Sequence, residues 1–142
     1  MSADLEQIIN KAMNVRWKEI NYMERGVRVR YSDYEVSDTG LVYSKKRGRY
    51  LKHKIARGYH SVHLYAYGSS KHLKVHRLVC NLFNGPPLPG KPEVDHIDQD
   101  RGNNEHTNLR WVSRTENNRN RRGSRLNRRS PENDEGHGIG ST

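Results

Sequence analysis

Residues 94–118 read VDHIDQDRGNNEHTNLRWVSRTENN, and the parsing of this stretch decides the fold. EVDHI, with Val94 and Ile97, has the composition of a short strand, and LRWV (109–112), with Leu109, Trp111 and Val112, that of a second. Between them, Asp98 to Asn108 is polar and carries the Asn, Asp and Gly of a loop. Ser113-Arg-Thr-Glu116 then has capping-box spacing, in which the Ser hydroxyl accepts from the Glu amide and the Glu carboxylate reaches back to the Ser amide. The predicted order is strand, loop, strand, helix.

Four polar residues can converge on such a ββα unit: Asp95, His96, Asn108 at the return of the loop, and Asn117 in the first turn of the helix. A carboxylate and an amide oxygen are hard ligands that suit Mg²⁺, an ion that keeps most of its waters and shares a phosphate. An imidazole beside such an ion can deprotonate water, since it titrates near neutral pH. Asn108 can hold that ring by accepting from its N–H. Asp-His-Ile-Asp alone is more often a turn with satisfied side chains. The ordered set of strand, loop, strand and capped helix carries the weight.

Working outward, the charge is strongly segregated. The 142 residues hold 26 Lys+Arg against 16 Asp+Glu, a net charge of +10, which suits a polyanionic partner. From Leu41 to Val79 the cations are Lys45, Lys46, Arg47, Arg49, Lys52, Lys54, Arg57, Lys71, Lys74 and Arg77, without one Asp or Glu. Tyr43, Tyr50, Tyr59, Tyr65 and Tyr67 lie among them, most of them expected to alternate into the core. WKEI, YEVS, LVYS, YLKHK, YHSVHLYAY and HLKV read as short strands of an antiparallel meander, with Asp38-Thr39-Gly40 as a hairpin turn. Such a basic sheet can dock on DNA phosphates. VHRLVCNLF (75–83) then has one apolar helical face, and GPPLPGKP (85–92) stops it and marks a boundary between two modules.

Mean hydropathy is −1.11, so the core is thin. Cys80 is the sole cysteine, which excludes an internal disulfide and a multi-cysteine zinc site. No apolar run approaches the ~20 residues of a membrane span, so the chain reads as soluble and intracellular. Residues 1–16 carry Leu5, Ile8, Ile9, Ala12 and Met13 at helical spacing. After the capped helix, Arg119, Arg121 and Arg122 open an Arg-rich run suited to phosphate that continues through Arg125, Arg128 and Arg129, and residues 131–142 turn acidic and Gly-rich, so that 123–142 reads as an Arg-rich, then acidic, flexible tail.

DH, the Asn of NLRWV and the Asn of the following helix resemble the signature of HNH endonucleases of the phage and intron-encoded homing type. WKEI, YEVSDTGLVYS and VHRLV resemble the nuclease-associated modular domain that precedes it in those enzymes. The resemblance spans about residues 17–122. It implies an α+β protein with an antiparallel β-sheet DNA-binding module (17–84) and a ββα-metal nuclease unit (85–122); the apolar spacing of residues 1–16 adds an N-terminal amphipathic helix, which has no counterpart in the family, and the Arg run adds a basic C-terminal extension. It also implies Asp95 and Asn117 as ligands of one Mg²⁺ or Mn²⁺, His96 as general base and Asn108 as its orienter. The expected activity is site-selective nicking of double-stranded DNA by a monomer, in a bacterial or phage-infected cytoplasm. Two departures stand out: Asn117 occupies a position where His is common, and NYMERGVRVRYSD is longer than the usual connection. The alternative is a non-catalytic nucleic-acid-binding protein using the basic sheet and Arg tail, which leaves the ordered Asp-His-Asn-Asn set unexplained.

Overall fold

The computed structural model describes residues 14–120; the expectations for 1–13, Arg121, Arg122 and the tail lie outside the described residues. Nine strands and two helices follow one another along the described chain. The alternation of apolar and polar residues drives a long hairpin, β1 (Trp17–Glu24) with β2 (Val27–Ser37), which continues to β3 (Val42–Ser44) and β4 (Arg49–Tyr50) as a four-stranded antiparallel sheet. A second sheet holds β5 (Lys54–Ala56), β6 (Tyr59–Ala66) and β7 (Ser69–Lys74) in sequential order. Helix α1 (Val75–Phe83) follows, then the two-stranded β8 (Glu93–His96) and β9 (Leu109–Val112), and helix α2 from 114 to 120.

The meander therefore divides into two sheets, with Leu51 to His53 between them. The expected short WKEI and YEVS strands are parts of the long β1–β2 hairpin, whose turn is Arg25-Gly26, with φ of +53 and +78. Arg57-Gly58 and Tyr67-Gly68 close the β5–β6 and β6–β7 hairpins with the same pair of positive φ angles, the pattern that two-residue hairpin turns require. The Asp38-Thr39-Gly40 turn is present as read: Tyr34 pairs with Ser44 and Val36 with Val42 across it. The tyrosine expectation fails. None of the five between 41 and 79 is buried, and Tyr50, Tyr65 and Tyr67 are exposed; Tyr34 supplies the buried ring instead.

One apolar cluster runs through both halves of the chain. Ile20, Tyr34, Val36 and Val42 of the first sheet and Val62 and Leu64 of the second meet Val75, Leu78, Val79 and Cys80 of α1. These in turn meet Val94, Leu109 and Trp111 of the β8–β9 hairpin. Burial pushes the Cys80 thiol up to about 11, so it behaves as a small apolar core residue. No helix among the described residues is long and apolar enough to cross a membrane.

Candidate active site

β8 and β9 pair in the register that sets Asp95 opposite Arg110 and His96 opposite Leu109. The capping box forms as read: Glu116 Oε1 accepts from the Ser113 amide at 2.9 Å, and Ser113 Oγ from the Glu116 amide at 3.1 Å. This anchors α2 directly behind the hairpin.

His96 is 5% exposed and makes one hydrogen bond, from Nε2 to Asn104 Oδ1 at 2.9 Å. With the amide oxygen as acceptor, the ring carries its proton on Nε2 and leaves the Nδ1 lone pair available. Its ring lies 5.2 Å from that of His76 and 6.1 Å from that of Tyr59. Burial holds the imidazole below its ordinary range, against the raising influence of Asn104 and of Asp95, Asp98 and Asp100. Neutral imidazole at pH 7 is the state a general base needs.

The amide that meets His96 is thus that of Asn104, and not, as expected, that of Asn108. Asn108 accepts from the Asp98 amide at 3.0 Å and donates to Asp98 Oδ1 and the Asn103 carbonyl, both at 2.9 Å. It shapes the loop that carries Asn104. Asp98 also accepts from Asn103 Nδ2 at 2.7 Å, and this bond holds its carboxyl below the usual carboxylate range.

Asp95 is buried, and its Oδ2 accepts from Arg110 Nε and Nη2 at 3.0 Å each and from Asn120 Nδ2 at 3.1 Å. Asn117 instead donates to Glu93 Oε1 at 2.6 Å. The amide beside Asp95 is thus one helical turn beyond the residue expected. Sequence reasoning missed Asn104 and Asn120; each is an Asn among several within a few positions, and only the folded loop and helix phase distinguish them. No group of three His, Cys, Asp or Glu among the described residues could hold a metal ion. The local donors are one carboxylate and amide oxygens.

Of the ten cations between 41 and 79, nine are exposed: Lys45, Lys46, Arg47, Arg49, Lys52, Lys54, Arg57, Lys71 and Lys74; Arg119 on α2 is exposed too. Arg77 is a correction. It pairs with Glu24 at 2.7 Å, donates to the Pro92 carbonyl at 2.9 Å and lies over the Trp111 ring at 5.2 Å, which makes it a brace of the core rather than a docking cation. His76 is likewise buried.

The DTG turn reaches this centre. A Cβ on Gly40, whose φ is +96, would lie 2.8 Å from Asn104 Cβ and 3.4 Å from Val75. The Asp38 carbonyl accepts from the His106 amide at 2.8 Å, which ties the same turn to the loop. Gly40→Ala is expected to cost about 1–3 kcal/mol in backbone strain. By displacing Asn104 it should slow a His96-dependent reaction by up to ~10²-fold, the scale for a group misplaced by about an ångström. A thermal melt and a single-turnover rate measure the two effects; a full rate with a lowered Tm would confine Gly40 to folding.

His76 is expected to make the fold acid-sensitive. Burial, then His96, Arg77 and Lys74, lower its pKa from 6.5 to about 3, and its Nδ1 has no hydrogen-bond partner. The folded state keeps it neutral, so the unfolded state binds the extra proton below pH 6.5. The stability it contributes is complete above that pH and falls as pH drops toward 3, by up to about 1.4 kcal/mol per pH unit. Urea melts between pH 7 and 4 should show this slope, and His76→Leu should flatten it.

Comparison with known proteins adds to this geometry. Residues 73–119 match the HNH endonuclease family and residues 16–65 the NUMOD4 motif. The chain is 43% identical over 103 residues to the DNA endonuclease I-HmuI of Bacillus phage SP01, covering 70% of this chain and 53% of that protein. It is 36% identical over 81 residues to the H-N-H endonuclease F-TflII of Escherichia phage T5, covering 56% and 42%. A solved structure describing DNA binding and cleavage by the HNH homing endonuclease I-HmuI superposes with a TM-score of 0.63 at 42% identity, over 77% of this chain and 59% of that one. The chain spans about half the length of these relatives.

Proposed function

The chain belongs to the HNH endonuclease family, with a NUMOD4 motif ahead of its HNH unit, and on that premise we propose that it hydrolyses DNA phosphodiester bonds with a divalent metal ion. The observation that carries the reading is His96: a buried imidazole kept neutral, held by Asn104, next in sequence to a buried carboxylate.

The reaction follows from those residues. Nδ1 of His96 takes a proton from water, the resulting hydroxide attacks phosphorus, the P–O3′ bond breaks, and the departing 3′ oxygen takes a proton from solvent. Asn104 keeps the ring from rotating, and the loop bonds of Asn108 and Asp98 keep Asn104 in place. HNH enzymes generally use a divalent metal, and the residues present fit a hard ion. Asp95 with a carbonyl oxygen from the amides of α2, Asn117 by family position or Asn120 by proximity, would hold Mg²⁺ or Mn²⁺, as one ion. Such an ion supplies charge neutralisation at the phosphate when bound. It must compete with Arg110 for Asp95.

Duplex DNA is the substrate this reading favours, since the exposed cations on and between the strands of the two sheets, from Lys46 to Lys74 and with Lys45 paired to Glu19 at 3.3 Å, offer phosphate contacts that fix register. One active site per monomer implies nicking of one strand. Supercoiled plasmid incubated with and without Mg²⁺ tests this: open circles that appear only with the ion support it, and intact supercoils under all divalent ions leave a DNA-binding protein without catalysis.

A further inference from the structure

The turn between β5 and β6 leans on the loop that carries Asn104. Arg57 opens the turn at φ +55, a conformation in which Asn or Gly is the unstrained choice, and Gly58 follows at φ +83. A Cβ on Gly58 would lie 3.4 Å from both Cβ and Cδ of Arg101, so the turn and this side chain already touch. Arg101 donates from Nη1 to the Arg57 carbonyl at 2.8 Å and lays its guanidinium 4.5 Å from the centre of the Tyr59 ring. That same ring stands 5.4 Å from His76 and 6.1 Å from His96. One aromatic ring separates the cation from the histidine.

An arginine next to Asp100 and near Asp98 would ordinarily pair with one of them. Both acids are engaged elsewhere: Asp98 holds Asn103, Asn108 and the Asp100 amide, and Asp100 Oδ1 accepts from the Gly102 amide at 2.9 Å. Arg101 forms no ion pair among the described residues. It is a half-buried cation held by a ring and a carbonyl, with one of its five N–H donors bonded within the described chain. A planar fork in that state matches phosphate oxygens, and its side-chain entropy is already lost before the ligand arrives.

The geometry points to Arg101 as a phosphate-binding residue that seats the cleaved strand at a backbone phosphate flanking the one presented to His96, with Tyr59 and the Arg57 carbonyl aiming it. The inference rests on the nuclease reading and deepens it. Through Arg101 the β5–β6 turn sets the distance between the docking sheet and the cleavage centre. A single side chain then couples DNA register to the chemistry.

The test uses the full chain, Arg101→Ala and Arg101→Lys. Affinity for a duplex containing the mapped nick site is measured in EDTA across a salt series and with a single neutral methylphosphonate placed in turn at each phosphate beside the nick. The wild type should lose affinity at one flanking methylphosphonate, and Arg101→Ala should be indifferent there, with a salt slope shallower by about one. Its single-turnover cutting should fall ~10-fold or more, the range expected when a positioning contact is lost. Arg101→Lys should recover the slope and only part of the rate, because Lys lacks the planar fork. An alanine variant with the wild-type slope and methylphosphonate profile overturns the proposal. Should it lose its fold, Arg101→Gln, which keeps the stem over Tyr59 and removes the charge, takes its place. A wild-type chain that never nicks plasmid removes the nuclease reading instead, and the salt slope of the variants then decides Arg101 alone.

Discussion

His96→Ala cuts at least ~10²-fold more slowly than the wild-type chain while holding duplex DNA with nearly unchanged affinity, the scale for loss of a general base. The side chain is buried and bonded to Asn104, with only Nδ1 left for the attacking water, so it contributes little to the hold on the phosphate backbone. Its removal therefore leaves the exposed cations of both sheets in place. Filter binding in EDTA and single-turnover cutting with Mg²⁺ separate the two quantities. Asn104→Ala should cost less, since the ring remains and only its orientation loosens. A variant that nicks at the wild-type rate would take His96 out of the mechanism, and one that loses binding and cutting together would make it a folding residue.

The parts of this site visible in the sequence are those set by local periodicity and spacing. The two strands around the loop, the Ser113–Glu116 box and the adjacent Asp95 and His96 all follow from patterns a few residues long. The bonding partners do not. Asn103, Asn104 and Asn108 share one loop, and which amide meets the histidine depends on the loop's path, itself set by Asp98 and by contact with Gly40 sixty-four positions upstream. Asn117 and Asn120 lie one turn apart on the same helical face, so a small change in helix phase exchanges them at Asp95.

Elsewhere the misreadings have the same origin. A run of ten cations looks uniform until Glu24, distant in sequence, claims Arg77. The β1–β2 hairpin was hidden because its turn is Arg25-Gly26, without the Asn or Asp that ordinarily signals positive φ. Arg57 and Tyr67 repeat this departure at two other hairpin tips, and both side chains are exposed.

A fragment beginning at Pro89 should have no stable fold and no nuclease activity, even at high concentration and low salt. It keeps Asp95, His96, Asn104, Asn108, Asn117 and Asn120, but the apolar side chains of its hairpin, Val94, Leu109 and Trp111, bury against Val75, Leu78, Val79 and Cys80 of α1. It also loses the acceptor for Trp111 Nε1, the Gly85 carbonyl at 3.0 Å, and the Asn84 amide that donates to the His106 and Leu109 carbonyls at 2.8 and 3.0 Å. A two-stranded hairpin with one helix is marginal alone, and chains of this size ordinarily need a metal or disulfides to hold together. Neither rescue is present: the sole cysteine, Cys80, is absent from the fragment, and one carboxylate with amide oxygens binds a hard ion too weakly to organise a fold. Far-UV circular dichroism should show a coil-like spectrum without a cooperative melt, unchanged by Mg²⁺. A sharp thermal transition in the fragment, together with retained nicking, would show that the ββα unit folds without α1, and would make the shared core a docking interface between two independent modules.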